Sequence, residues 1–190
     1  MACIAFWLGA VALGLGFLVR YSAAPGAAAS PPARWPAESR LGRAPPLPTF
    51  VMLVHPKCSC SRASLGELAE IMTRAAGRAT AHVLFVKPAG TGADWEQGDL
   101  LRRASSIEGV TVTIDGAARE ATLFGAKTSG QTLVYDAAGQ LVFSGGITAA
   151  RGHAGDNLGR ANVLASVEER PVDAPETPVF GCSLADDRTP

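Results

Sequence analysis

Net charge is the first thing this chain lacks. Lysine plus arginine and aspartate plus glutamate stand at 17 each, and the sequence pI is about 6.8. No global field exists to draw in a nucleic acid or an acidic membrane surface, which sets a nucleic-acid role aside. Charged residues are themselves sparse, at 18% of 190 positions, too few for a solvated disordered chain. Cysteine is also scarce: four residues, unevenly placed at Cys3, Cys58, Cys60 and Cys182, do not make a disulfide-stapled scaffold. No second close cysteine pair is present to complete a zinc site, and no segment has the spacing of a phosphate-binding loop. Small residues are abundant instead, with 21 glycines and many alanines within the 47% hydrophobic fraction, so the length predicts one modest core.

Charge is missing altogether from Met1 to Val19. Ile4, Phe6, Trp7, Leu8, Val11, Leu13, Leu15, Phe17, Leu18 and Val19 make this stretch apolar on every face, and as a helix it spans roughly 28 Å, enough to cross a bilayer's hydrocarbon core. Residues 1–20 are therefore expected to be a transmembrane anchor. A cleaved signal segment is the close rival, because Ala27, Ala28 and Ala29 supply small residues suited to cleavage. Cys3 lies too near the start to follow a lipobox and reads as an apolar anchor residue. Arg20, Arg34, Arg40 and Arg43 follow the span, and the positive-inside tendency alone would leave the rest of the chain in the cytoplasm.

Residues 21–48 are rich in Ala, Pro and Ser, and Pro25, Pro31, Pro32, Pro36, Pro45, Pro46 and Pro48 exclude regular helix, so an extended tether is expected. A folded unit is expected over 49–170, followed by a proline-bearing tail, 171–190, that carries Cys182. Inside the unit, Thr49 to Val54 reads as a buried strand and the residues after Ser61 as a helix, capped by Ser59 or Ser61. Ala81 to Val86 reads as a second strand, parallel to the first. A looser helical stretch runs from about Trp95 to Ala104, and Val110 to Ile114 is a short strand. Thr132 to Tyr135 and Gln140 to Phe143 form a hairpin, and a final helix starts at Asp156 or Asn157 and runs to about Arg170. A parallel unit followed by an antiparallel hairpin predicts an α/β sandwich around a mixed sheet.

The first strand runs into His55-Pro56-Lys57-Cys58-Ser59-Cys60-Ser61 at a helix N-terminus. There, unpaired N–H groups and the helix dipole favour an anion, and the thiolate is the reactive form of cysteine. Lys57 adds a positive charge beside Cys58, and His55 can add another when protonated or accept a proton when neutral. Such placement suits attack on a disulfide or peroxide.

Three segments resemble the thioredoxin-like superfamily, specifically its membrane-tethered bacterial RedB group. They are the stretch from His55 to Ser64, the stretch from Ser129 to Asp136, and Phe143-Ser144-Gly145-Gly146-Ile147-Thr148. The resemblance covers about Pro48 to Arg170. It implies a thioredoxin-like fold, Cys58 as the first active-site cysteine, Ser129, Gly130 and Gln131 lining the site, a protein thiol or disulfide as substrate, and export. Two features depart from the pattern. Ser59 alone separates the cysteines where a thioredoxin has two residues, and the usual cis-proline before the hairpin is replaced near Gln131. A disulfide across one residue closes a small, easily reduced ring.

Cys182 follows a segment of about a dozen residues that can stretch on the order of 35 Å, enough to return to the Cys58 and Cys60 mouth as a resolving thiol. The leading expectation is thus a thiol-disulfide oxidoreductase using Cys58 with Cys60 or Cys182, and needing no cofactor. The alternative is a copper carrier on the same fold, with His55, Cys58 and Cys60 as soft ligands for Cu(I). An accessible cysteine pair with a tail cysteine suits an oxidising compartment. That consideration, with the implied export, favours a single-pass inner-membrane protein whose domain faces the periplasm, against the arginine count. His82 is expected in a strand, and His153 in a glycine-rich connection to the last helix.

Overall fold

Six consecutive buried residues, Thr49–Val54, form the central strand β1, as expected of a run that is apolar on both faces. The structure, a computed structural model, describes residues 2–92, 94–172 and 174–185. In chain order the elements are helix α1 (Ala2–Ala23), β1, α2 (Ser61–Ala75), β2 (Thr80–Lys87), α3 (Asp99–Ser105), β3 (Val110–Gly116), α4 (Arg119–Leu123), β4 (Gln131–Tyr135), β5 (Leu141–Gly145) and α5 (Leu158–Val167). The sheet order is β3-β2-β1-β4-β5. β1 pairs parallel to β2 and β2 parallel to β3, whereas β4 lies antiparallel to both β1 and β5. This is the mixed sheet that the sequence pattern predicts.

Alternation along β1 divides the core in two. Phe50, Met52 and Val54 face α2, α3 and α5, meeting Leu65, Leu68, Ile71, Leu100, Val163 and Val167. Val51 and Leu53 face the other way, toward Ala121 and Phe124 of the α4 region and Leu133 and Tyr135 of β4. On the first face α2 and α5 are tied by Glu67, whose carboxylate accepts from Arg160 at 2.8 Å and from the Gly155 backbone N–H. Both side chains of this ion pair are nearly buried, at 12% and 4% exposure. Glu67→Ala leaves the guanidinium with Asp156 alone among the described residues, and the expected loss is about 3 kcal/mol of unfolding free energy, read by urea denaturation.

The second face departs from expectation. α4 is one short helix of five residues and cannot cover the sheet alone. Residues 24–47 do so in its place, running across the domain rather than away from it. Trp35 sets its ring edge-on to Phe124 and Tyr135, each at 5.2 Å between ring centroids. Leu41 packs against the same cluster. Proline excludes helix here but not backbone pairing with neighbours. Ser30 N donates to Gly125 O, Trp35 N to Gly139 O and Leu141 N to Ala33 O, and the Tyr135 hydroxyl donates to Pro32 O. Glu120, buried, accepts from Ser39 Oγ and Arg40 N. The segment is a strap that closes the second core, and Gly26 N already donates to Val179 O three residues beyond the end of α1.

The proline-bearing tail is likewise laid on the domain. Ser144 N donates to Pro175 O and Thr177 N to Ser144 O along the outer side of β5. Leu184, at 3% exposure, enters the second core. Residues 186–190, the last part of the expected tail, lie outside the described residues, as does Met1 of the expected anchor. α1 is uncharged up to Arg20 in its last turn, has no buried residue, and is long and apolar enough to be a membrane anchor or a signal sequence.

Candidate functional site

The chain leaves β1 at Val54 and reaches α2 through a turn in which Cys58 N donates to His55 O and Ser61 N to Cys58 O. Cys60 is the residue at the helix N-cap, and its side chain makes no cap bond. Neither expected serine caps the helix, and for Ser61 the reason is visible: its hydroxyl lies 2.7 Å from the Ser129 hydroxyl. Ser129 therefore links the turn to the segment before β4, and its Oγ also accepts from His55 N at 2.8 Å.

Three of the four cysteines meet at this point. Cys58 is buried, at 1% exposure, while Cys60 and Cys182 are half-buried. The Cys58 and Cys182 sulfurs share a hydrogen bond at 2.8 Å across 124 residues of sequence. The backbone delivers Cys182 there, because Ser129 N donates to Cys182 O at 2.8 Å. The bond with Cys182, followed by the interaction with Cys60, holds the Cys58 thiol far below its ordinary value near 9 despite the opposing effect of burial. The same interactions push Cys182 strongly up, the bond to Cys58 first and that to Cys60 second. Cys60 receives a lowering bond from Cys182, but the bond to Cys58, burial and the Cys58 charge outweigh it, so its thiol is also raised. The three shifts together favour ionisation at Cys58 over its two neighbours.

The positive charges expected beside Cys58 act elsewhere. Lys57 places its ammonium over the Trp95 ring, 5.9 Å from the centroid, and the bonds from Cys182 and Cys60 dominate the lowering of the Cys58 thiol. His55 is buried, its Nδ1 accepts from Lys57 N at 3.1 Å, and its ring stands edge-on to Trp95. Gly130 N donates to Leu53 O, anchoring the segment to β1. Its φ of +90 and the 2.9 Å from an added Cβ to Ser64 Oγ exclude a larger residue, proline included, at this place. Gln131 is buried but turns its amide to Ser144 Oγ on β5, away from the sulfurs. Ser129 thus borders Cys182 through its backbone, Gly130 packs against Leu53 and Ser64, and Gln131 ties β4 to β5.

Of the proposed copper ligands, Cys58 and Cys60 are adjacent, but among the described residues no three His, Cys, Asp or Glu side chains are arranged to hold a metal ion. His82 contacts Gly42 O of the strap from its strand, and His153 is exposed, with Nδ1 against Arg151 O. Arg151 belongs to the glycine-rich segment from Ser144 to Asn157, which the sequence leaves open as either a site lining or a connection, and it is not singled out there. Its Nη1 donates to Gly181 O beside Cys182, its backbone N donates to Ser22 O of α1, its guanidinium lies 5.1 Å from the Tyr21 ring centroid, and its charge favours the Cys60 thiolate. Outside the sulfurs a groove of about 300 Å³ runs along Pro56, Lys57, Ser59, Arg62 and Asp99.

No family model matches the chain, and no curated protein does. Solved structures do. An uncharacterized conserved protein from Geobacillus kaustophilus superposes with a TM-score of 0.61 at 18% identity, covering 85% of this chain and 92% of its own. A hypothetical protein from Sinorhizobium meliloti gives 0.59 at 20% identity, covering 74% and 80%. The exposed lipoprotein thioredoxin of Streptococcus pneumoniae matches at 0.42 and 19% identity over 65% of this chain and 85% of its own, too low a similarity to bear on this chain. Three parallel strands, an antiparallel hairpin at the other side of β1, helices on both faces and a cysteine turn where β1 enters α2 define a thioredoxin-like fold.

Proposed function

We propose that the protein is a thiol-disulfide oxidoreductase in which Cys58 is the nucleophile and Cys182 the resolving thiol. The observation that carries this reading is the 2.8 Å contact between the Cys58 and Cys182 sulfurs. In the direction of substrate reduction, the Cys58 thiolate attacks one sulfur of a substrate disulfide. A mixed disulfide forms and the other substrate sulfur leaves as a thiolate, which takes up a proton. The Cys182 thiol gives up its proton and attacks the Cys58 sulfur, forming the Cys58–Cys182 disulfide and releasing the second substrate thiolate. Two electrons pass from the protein's dithiol to the substrate, and every step runs equally in reverse. Cys60 lies near enough to both sulfurs to act on them, lowering the Cys58 thiol and raising that of Cys182.

The apolar α1 makes this a membrane-tethered enzyme on our reading, of the RedB type, with the domain on the periplasmic side, where a dithiol of this kind meets disulfides. Only Ala24 and Pro25 separate α1 from the first backbone bond to the tail, so the cysteine cluster works close to the membrane surface. Exchange with glutathione disulfide, followed by mass spectrometry of the mixed disulfide, tests the assignment. Wild-type protein is expected to exchange, and Cys58→Ser to lose the reaction by several orders of magnitude. Unchanged exchange in Cys58→Ser contradicts the reading. So does a Cu(I) titration in which Cys182→Ser weakens metal affinity while leaving exchange untouched, the result expected of a copper carrier.

A further inference from the structure

Residues 181–184 pair with residues 127–129 as an added antiparallel strand would. Ser129 N donates to Cys182 O, Leu184 N donates to Lys127 O at 2.9 Å, and Thr128 and Ser183 form the bridge between these bonds. Strand alternation then turns Cys182 and Leu184 to the same side. Cys182 meets Cys58, and Leu184 is buried against the cluster of Val51, Leu53, Ala121 and Phe124, while the Ser183 side chain faces solvent. Gly181 approaches Ser129 O so closely that a Cβ there would collide with it. Cys58 itself is 1% exposed in this arrangement. A substrate sulfur attacked by Cys58 has to come to the place that Cys182 Sγ now holds, and the backbone groups that would align its chain are those the tail already uses.

We propose that the tail segment is a built-in stand-in for the partner, and that the site takes an extended cysteine-bearing peptide which adds along residues 127–129 in place of the tail. This rests on the reading of Cys58 as nucleophile and names the substrate class for it. The preference follows from the register: a glycine before the cysteine, where Ser129 O leaves no room for a side chain, any residue after it, and an apolar side chain two residues after it, in the Leu184 position. Main-chain pairing supplies affinity and the alternate side chain supplies specificity, as in strand addition generally. Return of the tail brings Cys182 onto the mixed disulfide and expels the peptide thiolate, so resolution and product release are one event.

The test uses the full chain with Cys3→Ser, Cys60→Ser and Cys182→Ser, in which Cys58 is the single thiol. Iodoacetamide alkylation of Cys58 is expected to rise about tenfold or more on adding Leu184→Asp, with Leu184→Ala falling between, because loss of the buried leucine frees the tail. Far-UV circular dichroism identifies any variant that has unfolded, and the Leu184→Ala comparison then carries the test. The acetylated peptide Phe-Gly-Ser-Ser-Leu-Ala is expected to restore protection in the Leu184→Asp chain. Phe-Val-Ser-Ser-Leu-Ala and Phe-Gly-Ser-Ser-Asp-Ala are not. Equal alkylation with and without the Leu184 substitutions overturns the proposal, as does equal protection by all three peptides. Failure of the redox reading shows separately: wild-type protein would not exchange with glutathione disulfide, while selective peptide protection persisted.

Discussion

Cys182→Ser is expected to leave the protein able to make its first attack but unable to finish. In glutathione disulfide the variant should accumulate a mixed disulfide on Cys58, where the wild-type chain passes quickly to its internal disulfide and releases both glutathione thiols. The same substitution removes the strongest hydrogen bond to the Cys58 sulfur. A serine hydroxyl still donates, but the thiolate loses part of its support, so the Cys58 thiol moves up toward its ordinary value. The sign of the pH effect follows. With its thiol held far below the ordinary value, wild-type Cys58 is expected to show a flat thiolate absorbance across the neutral range. In Cys182→Ser the absorbance should rise with pH, with its midpoint shifted upward. A flat profile in both proteins, or a variant that completes turnover at the wild-type rate, would remove Cys182 from the mechanism.

The second large effect concerns stability. Trp35→Ala is expected to lower unfolding free energy by about 3 kcal/mol, at the lower end for a buried aromatic because this ring is only half-buried. The ring covers Phe124 and Tyr135, both fully buried, and without it the second core opens to water. A free, solvated tether would give a change within about 0.5 kcal/mol for the same substitution. Urea denaturation of the two proteins separates these outcomes by their midpoints.

That contrast marks where the sequence was readable and where it was not. Runs such as Thr49 to Val54 and the hairpin around Asp136 to Gly139 carry their structure locally, through β-branched and aromatic content and turn residues, and both appear where the pattern puts them. The cysteine turn at the start of α2 was legible for the same reason. The strap was not, because prolines and alanines report what a segment cannot form and say nothing of what it packs against. Trp35 in a weakly patterned stretch was the signal available, a large apolar ring with no other reason to be there. α4 was missed because five residues are too few to show a helical period. Length alone showed that the tail could reach the site. Its register on residues 127–129 depends on pairing between distant backbone groups, as does the contact of Arg151 with Gly181. Lys57 looked like the source of a low thiol pKa from its place beside Cys58, yet its direction toward Trp95 is a tertiary fact.

Which sulfur becomes bonded to Cys58 on oxidation is the question on which the account turns. Mild oxidation of the full chain, proteolysis without reductant and mass spectrometry of the linked peptides answer it directly. A Cys58–Cys182 disulfide is expected, with Cys3 and Cys60 recovered as free thiols. A Cys58–Cys60 disulfide with Cys182 fully free would contradict it.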